Sequence, residues 1–206
     1  HRSGIPNFTD APNFWSAPTQ SFEESLALIE GKPANFEPGE DYEYCNTNYL
    51  LINEIMDDVL GYPNFQFIRE EILEPLNLNN TYGSLSEVNM DEVMSGYHVG
   101  HPFDLKADEH GMLATAEDVG TFLRALNDGS LFAPGEQEIY ASIYEYEHGG
   151  WVPGYQSFAK YHKDLDAVTI EFYSTTDSRL YNWNLSEIIN NRILKILKRQ
   201  KTNNKV

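Results

Sequence analysis

Residues 42–56 read YEYCNTNYLLINEIM, an aromatic and polar lead-in that runs straight into apolar positions at helical spacing. From Thr47 onward Leu51, Ile52, Ile55, Met56, Val59 and Leu60 repeat as one helix face, and Gly61 stops the run. In an extended lead-in, residues two apart point to the same side. Tyr44 and Asn46 therefore offer a phenol and a carboxamide together at the mouth of a rigid helix. A capped helix start with Asn46 as N-cap would also explain the pair, so the rest of the chain has to decide.

Upstream, HRSGIPNFTDAPNFWSAPTQ is rich in Pro, Asn and Ser and lacks periodicity, which predicts an ordered loop. SFEE at 21–24 fits a capping box and predicts a short helix through Glu30, closed by Gly31. Downstream, a second helix is expected over about 64–74, ending before Pro75. Residues 77–111 read as polar loop. Thr115 then caps a helix whose apolar face is Val119, Phe122, Leu123 and Leu126, and Gly129 ends it. Beyond about 138 the texture changes. IYASIYEYE, YQSFAKYH and AVTIEFYST are rich in β-branched and aromatic residues and predict three antiparallel strands. Ser186 is expected to cap a last amphipathic helix. Helices, then a hairpin-connected sheet, then a helix predict an α+β chain without internal repeats. Its predicted parts are a mainly helical 1–137 and a sheet-bearing 138–206.

Composition limits what this chain does. The 206 residues, 41% hydrophobic with 11 Phe, 13 Tyr and 3 Trp, suffice for a packed core. Net charge is −18, and the six basic residues Arg192, Lys195, Lys198, Arg199, Lys201 and Lys205 cluster at the end. The first 191 residues thus hold eight basic and 32 acidic side chains, a balance of −24. Such a body repels phosphate backbones, which argues against nucleic acid as a partner. The basic tail is read as favouring the C-terminal end of the last helix. The one cysteine, Cys45, rules out an internal disulfide, and no apolar run reaches transmembrane length. The chain opens at His1 without an initiator Met, so the N-terminus reads as cut.

A second stretch, HGGWVPGYQSF at 148–158, meets the first in chemical character. Glycines after a histidine let backbone approach a ligand, and an amide at a strand start can aim at an oxyanion. With both stretches in view, the chain resembles the C-terminal part of the serine β-lactamase and penicillin-binding-protein superfamily. The nearest branch holds class C β-lactamases, D-alanyl-D-alanine carboxypeptidases, D-aminopeptidases and esterases. HRSGIPNF is similar to that family's LLTHTSGIP segment, and FEPGEDYEYCNTNYLLI to its F.PG..Y.YSN..Y.LL segment. ILEPLNLNNTY, GMLATAEDVGTFLRALNDG and HGGWVPGYQSF follow in the family's order.

The resemblance implies a β-lactamase/transpeptidase-like α+β fold and an acyl-enzyme mechanism without cofactor. It gives Tyr44 an acid/base role, Asn46 the binding of the substrate amide, and His148, Gly149 and Gly150 the third motif, beside the substrate carboxylate. The Trp151 N–H would be one oxyanion donor. These groups are expected to converge on one cleft. The family's nucleophile motif, Ser-x-x-Lys, lies upstream of SGIP and is not found there in this chain. The literal match SFAK, Ser157 to Lys160, falls in a predicted strand, where residues three apart point to opposite faces. Without the first strands, the sheet is expected to expose an edge and to associate with itself or with a missing N-terminal fragment. The resemblance implies a small-molecule or peptide acyl substrate and leaves lactam, D-amino-acid peptide and ester open. The resemblance favours a periplasmic, secreted or membrane-exposed setting.

Other readings stand beside this one. The chain could be a truncated or inactive remnant that binds a ligand or partner. His98, His101, Asp104, Asp108 and His110 could form a metal cluster, although no helical pattern fixes their geometry. Cys45 occupies the variable middle position of the Tyr-x-Asn motif and reads as buried and inert.

Overall fold

A computed structural model describes residues 1–12, 14–16, 21–107, 111–142 and 147–203. The chain divides into two compact units, His1–Arg69 and Glu70–Val206, taken here one at a time.

In the first unit, Ser21 caps α1 (Phe22–Ala27) through the expected capping box with Glu24. The helix is shorter than predicted, and the chain continues as turns to Lys32. The main helix, α2 (Asn46–Leu60), ends at Gly61 with φ +75, a left-handed conformation that glycine adopts without steric cost. Its first turn departs from expectation, because Cys45 is the N-cap residue and Asn46 is already helical. The loop at the chain start supplies the caps instead. Asn7 Oδ1 accepts from the Asn46 N–H at 3.0 Å, and His1 Nδ1 accepts from the Cys45 N–H at 3.2 Å. Thr47, fully buried, accepts from Phe8 N–H and donates to the Pro6 carbonyl. Gly4 makes this wrap feasible: its φ is +70, and a Cβ there would collide with the Phe36 carbonyl. Ile52, Ile55 and Val59 of the apolar face are exposed. α3 (Asn64–Ile68) closes this unit, and a π-helical turn at Arg69–Leu73, which stops before Pro75, carries the chain across the boundary.

In the second unit, three short strands, β1 (Thr81–Tyr82), β2 (Tyr97–His98) and β3 (Leu113–Ala114), interrupt the polar region. β1 pairs antiparallel with β3. Next come α4 (Ala116–Asp128) and α5 (Glu136–Ala141). Thr115 caps α4 by accepting from the Asp118 N–H, and Gly129 closes it at φ +84, both as read from sequence. The buried Asp118 carboxylate accepts from Asn80 N–H and from the Thr81 hydroxyl, each at 2.8 Å, tying the start of α4 to β1.

The main sheet is antiparallel, ordered β4 (Glu147–Val152), β5 (Tyr155–His162), β6 (Ala167–Tyr173). Here the first predicted strand is corrected. Ile139–Ala141 belong to α5, residues 143–146 lie outside the described ones, and the strand that pairs is EHGGWV. Cross-strand register against β5 overrides the weak β propensity of two glycines. β7 (Thr175–Thr176) pairs with β2 in parallel. The last helix, α6 (Tyr181–Asn203), starts five residues before the expected cap. Asp177 accepts from the Arg179 and Tyr181 amides ahead of it, while Ser186, fully buried, bonds back to the Trp183 carbonyl.

Helices cover both faces of the sheet. Trp183, Ser186 and Asn190 of α6, spaced as one helix face, meet Gly149, Gln156 and Thr169. On the other face, Gly120 of α4 sits against Ile170. The basic tail of α6 is engaged: Lys198 pairs with the Asp164 carboxylate at 3.0 Å, and Lys201 donates to its carbonyl.

Candidate functional site

Tyr44 and Asn46 flank Cys45, which has extended backbone with φ −148 and ψ 116. The Cys45 side chain is buried and its thiol donates to the Ile5 carbonyl at 3.3 Å. Tyr44 is 45% exposed. Alternation along this extended segment turns Tyr44 and Asn46 away from the side that Cys45 buries. Asn46 Nδ2 donates one of its two hydrogens to Thr9 Oγ1 at 3.1 Å, which orients the carboxamide and its acceptor Oδ1.

The His1 ring lies over Tyr44 with centroids 4.3 Å apart, and its Nε2 is 3.3 Å from the Tyr49 hydroxyl. Because Nδ1 accepts from the Cys45 amide, a neutral His1 carries its proton on Nε2 and donates it to Tyr49. Partial burial, followed by the neighbouring Tyr49, Tyr42 and Cys45, pushes the Tyr44 phenol above its ordinary range. In this setting the Tyr44 phenol holds its proton more firmly; a base role calls for a cation placed beside it. His1, Asn7 and Thr9 were missed as supports of this pair. Their signal was the stretch HRSGIPNFT at 1–9, but nothing local links it to a helix some forty residues on.

His148, Gly149, Gly150 and Trp151 lie on β4, the edge strand of the main sheet among the described residues. A two-residue turn, Pro153–Gly154, joins Val152 to its partner Tyr155. Such a turn closes on a hydrogen-bonded pair, and these pairs alternate along an antiparallel ladder. Val152, Gly150 and His148 therefore bond inward to β5, while the N–H groups of Gly149 and Trp151 point to the open edge. Gly154, at φ +91 and tight against Gly96, donates its amide to Thr176 Oγ1 at 2.8 Å and anchors the turn.

The two glycines of the motif have different neighbours. A Cβ on Gly149 would run into the Trp183 indole, and one on Gly150 would sit 2.6 Å from Ser157 Oγ. The α6 face thus claims Gly149, and the opposite face claims Gly150. On that opposite face His148, Gly150 and Ser157 line a groove of about 710 Å³ with Val152, Ala159 and Phe172.

Other candidates take structural positions. Ser157 and Lys160 lie on β5, three residues apart and on opposite faces, so they do not form the helix-turn pair that a Ser-x-x-Lys nucleophile needs. His98 is buried, its Nδ1 2.8 Å from Thr176 Oγ1 and its ring edge-on to His101 and Trp151. Burial and then His101 hold it below the usual histidine range, against a smaller opposing effect of Asp177. Asp104 accepts from the Gly96 and Lys106 amides, and Asp108 and His110 lie outside the described residues.

An α+β fold with helices on both faces of an antiparallel sheet, a Tyr-x-Asn helix start and a His-Gly-Gly edge strand defines the β-lactamase/transpeptidase-like class. The chain belongs to the Beta-lactamase family, which matches residues 1–158. A putative D-alanyl-D-alanine carboxypeptidase of Escherichia coli K12 is 30% identical over 84 residues, 39% of this chain and 19% of that protein. Penicillin-binding protein 4* of Bacillus subtilis is 26% identical over 115 residues, 53% of this chain and 25% of that protein. The matches thus span a quarter or less of these relatives' length. Among solved structures, D-amino acid amidase from Ochrobactrum anthropi, complexed with L-phenylalanine amide, superposes with a TM-score of 0.79 at 20% identity. That superposition covers 98% of this chain and 70% of the amidase. An octameric penicillin-binding protein homologue from Pyrococcus abyssi superposes at 0.66 and 23% identity, covering 84% of this chain and 50% of its own. No helix among the described residues is long and apolar enough to cross a membrane.

Proposed function

We propose that this chain is part of a serine acyl hydrolase that works through an acyl-enzyme, with its nucleophile supplied from chain outside residues 1–206. In this reading Tyr44 delivers a proton, Asn46 Oδ1 accepts from the substrate amide, and His148 holds the substrate beside the sheet edge. The Trp151 N–H, with Gly149 and Gly150, forms the polar edge that receives the developing oxyanion. The observation that carries the proposal is the outward aim of the Gly149 and Trp151 amides on a strand that has no further partner among the described residues. The named activities of the relatives, a D-alanyl-D-alanine carboxypeptidase and a D-amino acid amidase, favour D-amino-acid peptides or amides, with esters and lactams in the same chemical class. An octameric relative also favours self-association.

A second reading, a remnant that binds without acylating, is favoured by one observation: the literal Ser-x-x-Lys match lies on a strand. The two separate on intact mass after incubation with a fluorescent penicillin or an activated ester. Protein carrying the upstream segment is expected to gain one acyl group, and residues 1–206 alone to gain none. An adduct on Ser157 or Cys45 in the isolated chain would overturn this assignment, and no adduct in either form would favour the remnant.

A further inference from the structure

Resting on the hydrolase reading above, we infer that His98 is a positioning residue for the oxyanion edge: through the Thr176 hydroxyl it holds the turn after β4, and with its ring it braces Trp151. His98 on β2 and Thr176 on β7 are register partners in the parallel pair, so their side chains share a face. The bond between them, 2.8 Å from Nδ1 to Oγ1, is buried at both ends. Thr176 Oγ1 also accepts from the Gly154 N–H at 2.8 Å, and Gly154 belongs to the two-residue turn that closes β4 on β5. The His98 ring stands edge-on to the Trp151 indole, with centroids 5.9 Å apart. Trp151 thus has a brace on its own side chain and a fixed turn a few residues on.

A hydroxyl has one hydrogen to give and two lone pairs to fill. The Gly154 N–H fills one lone pair of Thr176 Oγ1, and among the described residues its other partner is His98 Nδ1. A buried hydroxyl whose hydrogen finds no acceptor is costly, so Thr176 donates and Nδ1 accepts. The ring proton then sits on Nε2, 3.4 Å from Ser178 Oγ. An oxygen that donates its own hydrogen is a better acceptor for the next amide, because bonds in a chain polarise one another. The relay from imidazole to hydroxyl to turn amide therefore stiffens the end of the strand that carries the Trp151 N–H. An amide stabilises a developing oxyanion only when it is held in place before the charge forms. β4 has no neighbour on its outer side among the described residues, so that hold comes from its end and from the Trp151 side chain. His98 acts through Thr176 and Trp151, not on the reacting atoms.

The tautomer is read on the wild-type 206-residue chain from the imidazole nitrogen signals above neutral pH, where the His98 proton is expected on Nε2. His98→Phe keeps a ring beside Trp151 and removes the acceptor; His98→Asn puts an amide oxygen near the Nδ1 position. His98→Phe should speed exchange of the Gly154 amide about tenfold, and His98→Asn should restore its protection. From the other end of the bond, Thr176→Val should match His98→Phe, and Thr176→Ser should match wild type. In protein bearing the upstream segment, His98→Phe should lower kcat toward an activated ester about tenfold with KM held, and His98→Asn should recover most of it. A proton on Nδ1, unchanged Gly154 exchange in both His98→Phe and Thr176→Val, or a rise in KM with kcat held would overturn the proposal. The expected tautomer and exchange, with no acyl adduct in the longer protein, would sink the hydrolase reading and leave the relay standing as a support of the edge strand.

Discussion

Gly149 is the residue on which steric room and site geometry coincide most closely. Its Cα faces the Trp183 indole, so the strand approaches α6 only because no Cβ intervenes. Gly149→Ala forces either the indole or the edge strand to move, and overpacking of this kind costs about 1–3 kcal/mol. A lowered urea midpoint with an unchanged slope is the expected outcome; an unchanged midpoint would mean that Trp183 is free to turn away. Tyr44 makes a second prediction at the same scale. Burial and neighbouring phenols raise its pKa, so its phenolate absorbance should emerge above the range of an ordinary tyrosine. A titration at or below about 10 would instead reveal a cation beside it and support a base role.

At the scale of elements, α2 owes its N-terminus to a loop some forty residues away. Asn7 accepts from the first helical amide, and it donates to Thr9 and Asp10, which keeps its carboxamide aligned. Asn7→Ala should therefore destabilise the chain by about 1 kcal/mol, as loss of a cap does, with Asn46 as the residue whose amide exchanges faster. Faster exchange confined to the far end of α2 would contradict this. α4 behaves in the opposite way: Thr115 and Gly129 sit where sequence puts them, because a cap and a stop act within one turn. Ser186 resembles a cap in sequence, yet it is an interior residue sealed against Gln156 by α6 packing on the sheet.

For the whole molecule, pH dependence follows from His98. Its folded pKa lies below the ordinary value, chiefly through burial and then His101, while Asp177 opposes. Between the folded value and the unfolded value of about 6.5 the unfolded chain binds more protons, so stability rises with pH across that window. The His98 contribution is complete above about pH 6.5 and is lost as pH falls toward the folded value. Wild type should lose more stability on acidification than His98→Gln, measured by urea midpoints; parallel loss in both would assign the pH dependence to other groups. Association belongs to this scale too. β6 has an open edge among the described residues, and α6 exposes Leu185, Ile188 and Ile196. Light scattering of the isolated chain is expected to detect oligomers at micromolar concentration, and a stable monomer would count against a sticky edge.

Sequence by itself determined the α+β order, the helices bounded by Ser21, Gly61, Thr115 and Gly129, and the strand placement of Ser157 and Lys160. These depend on periodicity, capping and left-handed glycines, all of which act over a few residues. Tertiary structure decided the rest. It set the first strand at Glu147–Val152, because register against β5 outweighs the propensities of IYASIYEYE. It moved the cap of α2 from Asn46 to Asn7 and His1, and the start of α6 from Ser186 to Tyr181. It also revealed that Gly149 lets the strand approach the Trp183 indole, and that the Ser157 hydroxyl occupies the space beside Gly150. Those contacts join residues far apart in the chain, and only packing in three dimensions brings their atoms close enough to choose between local alternatives.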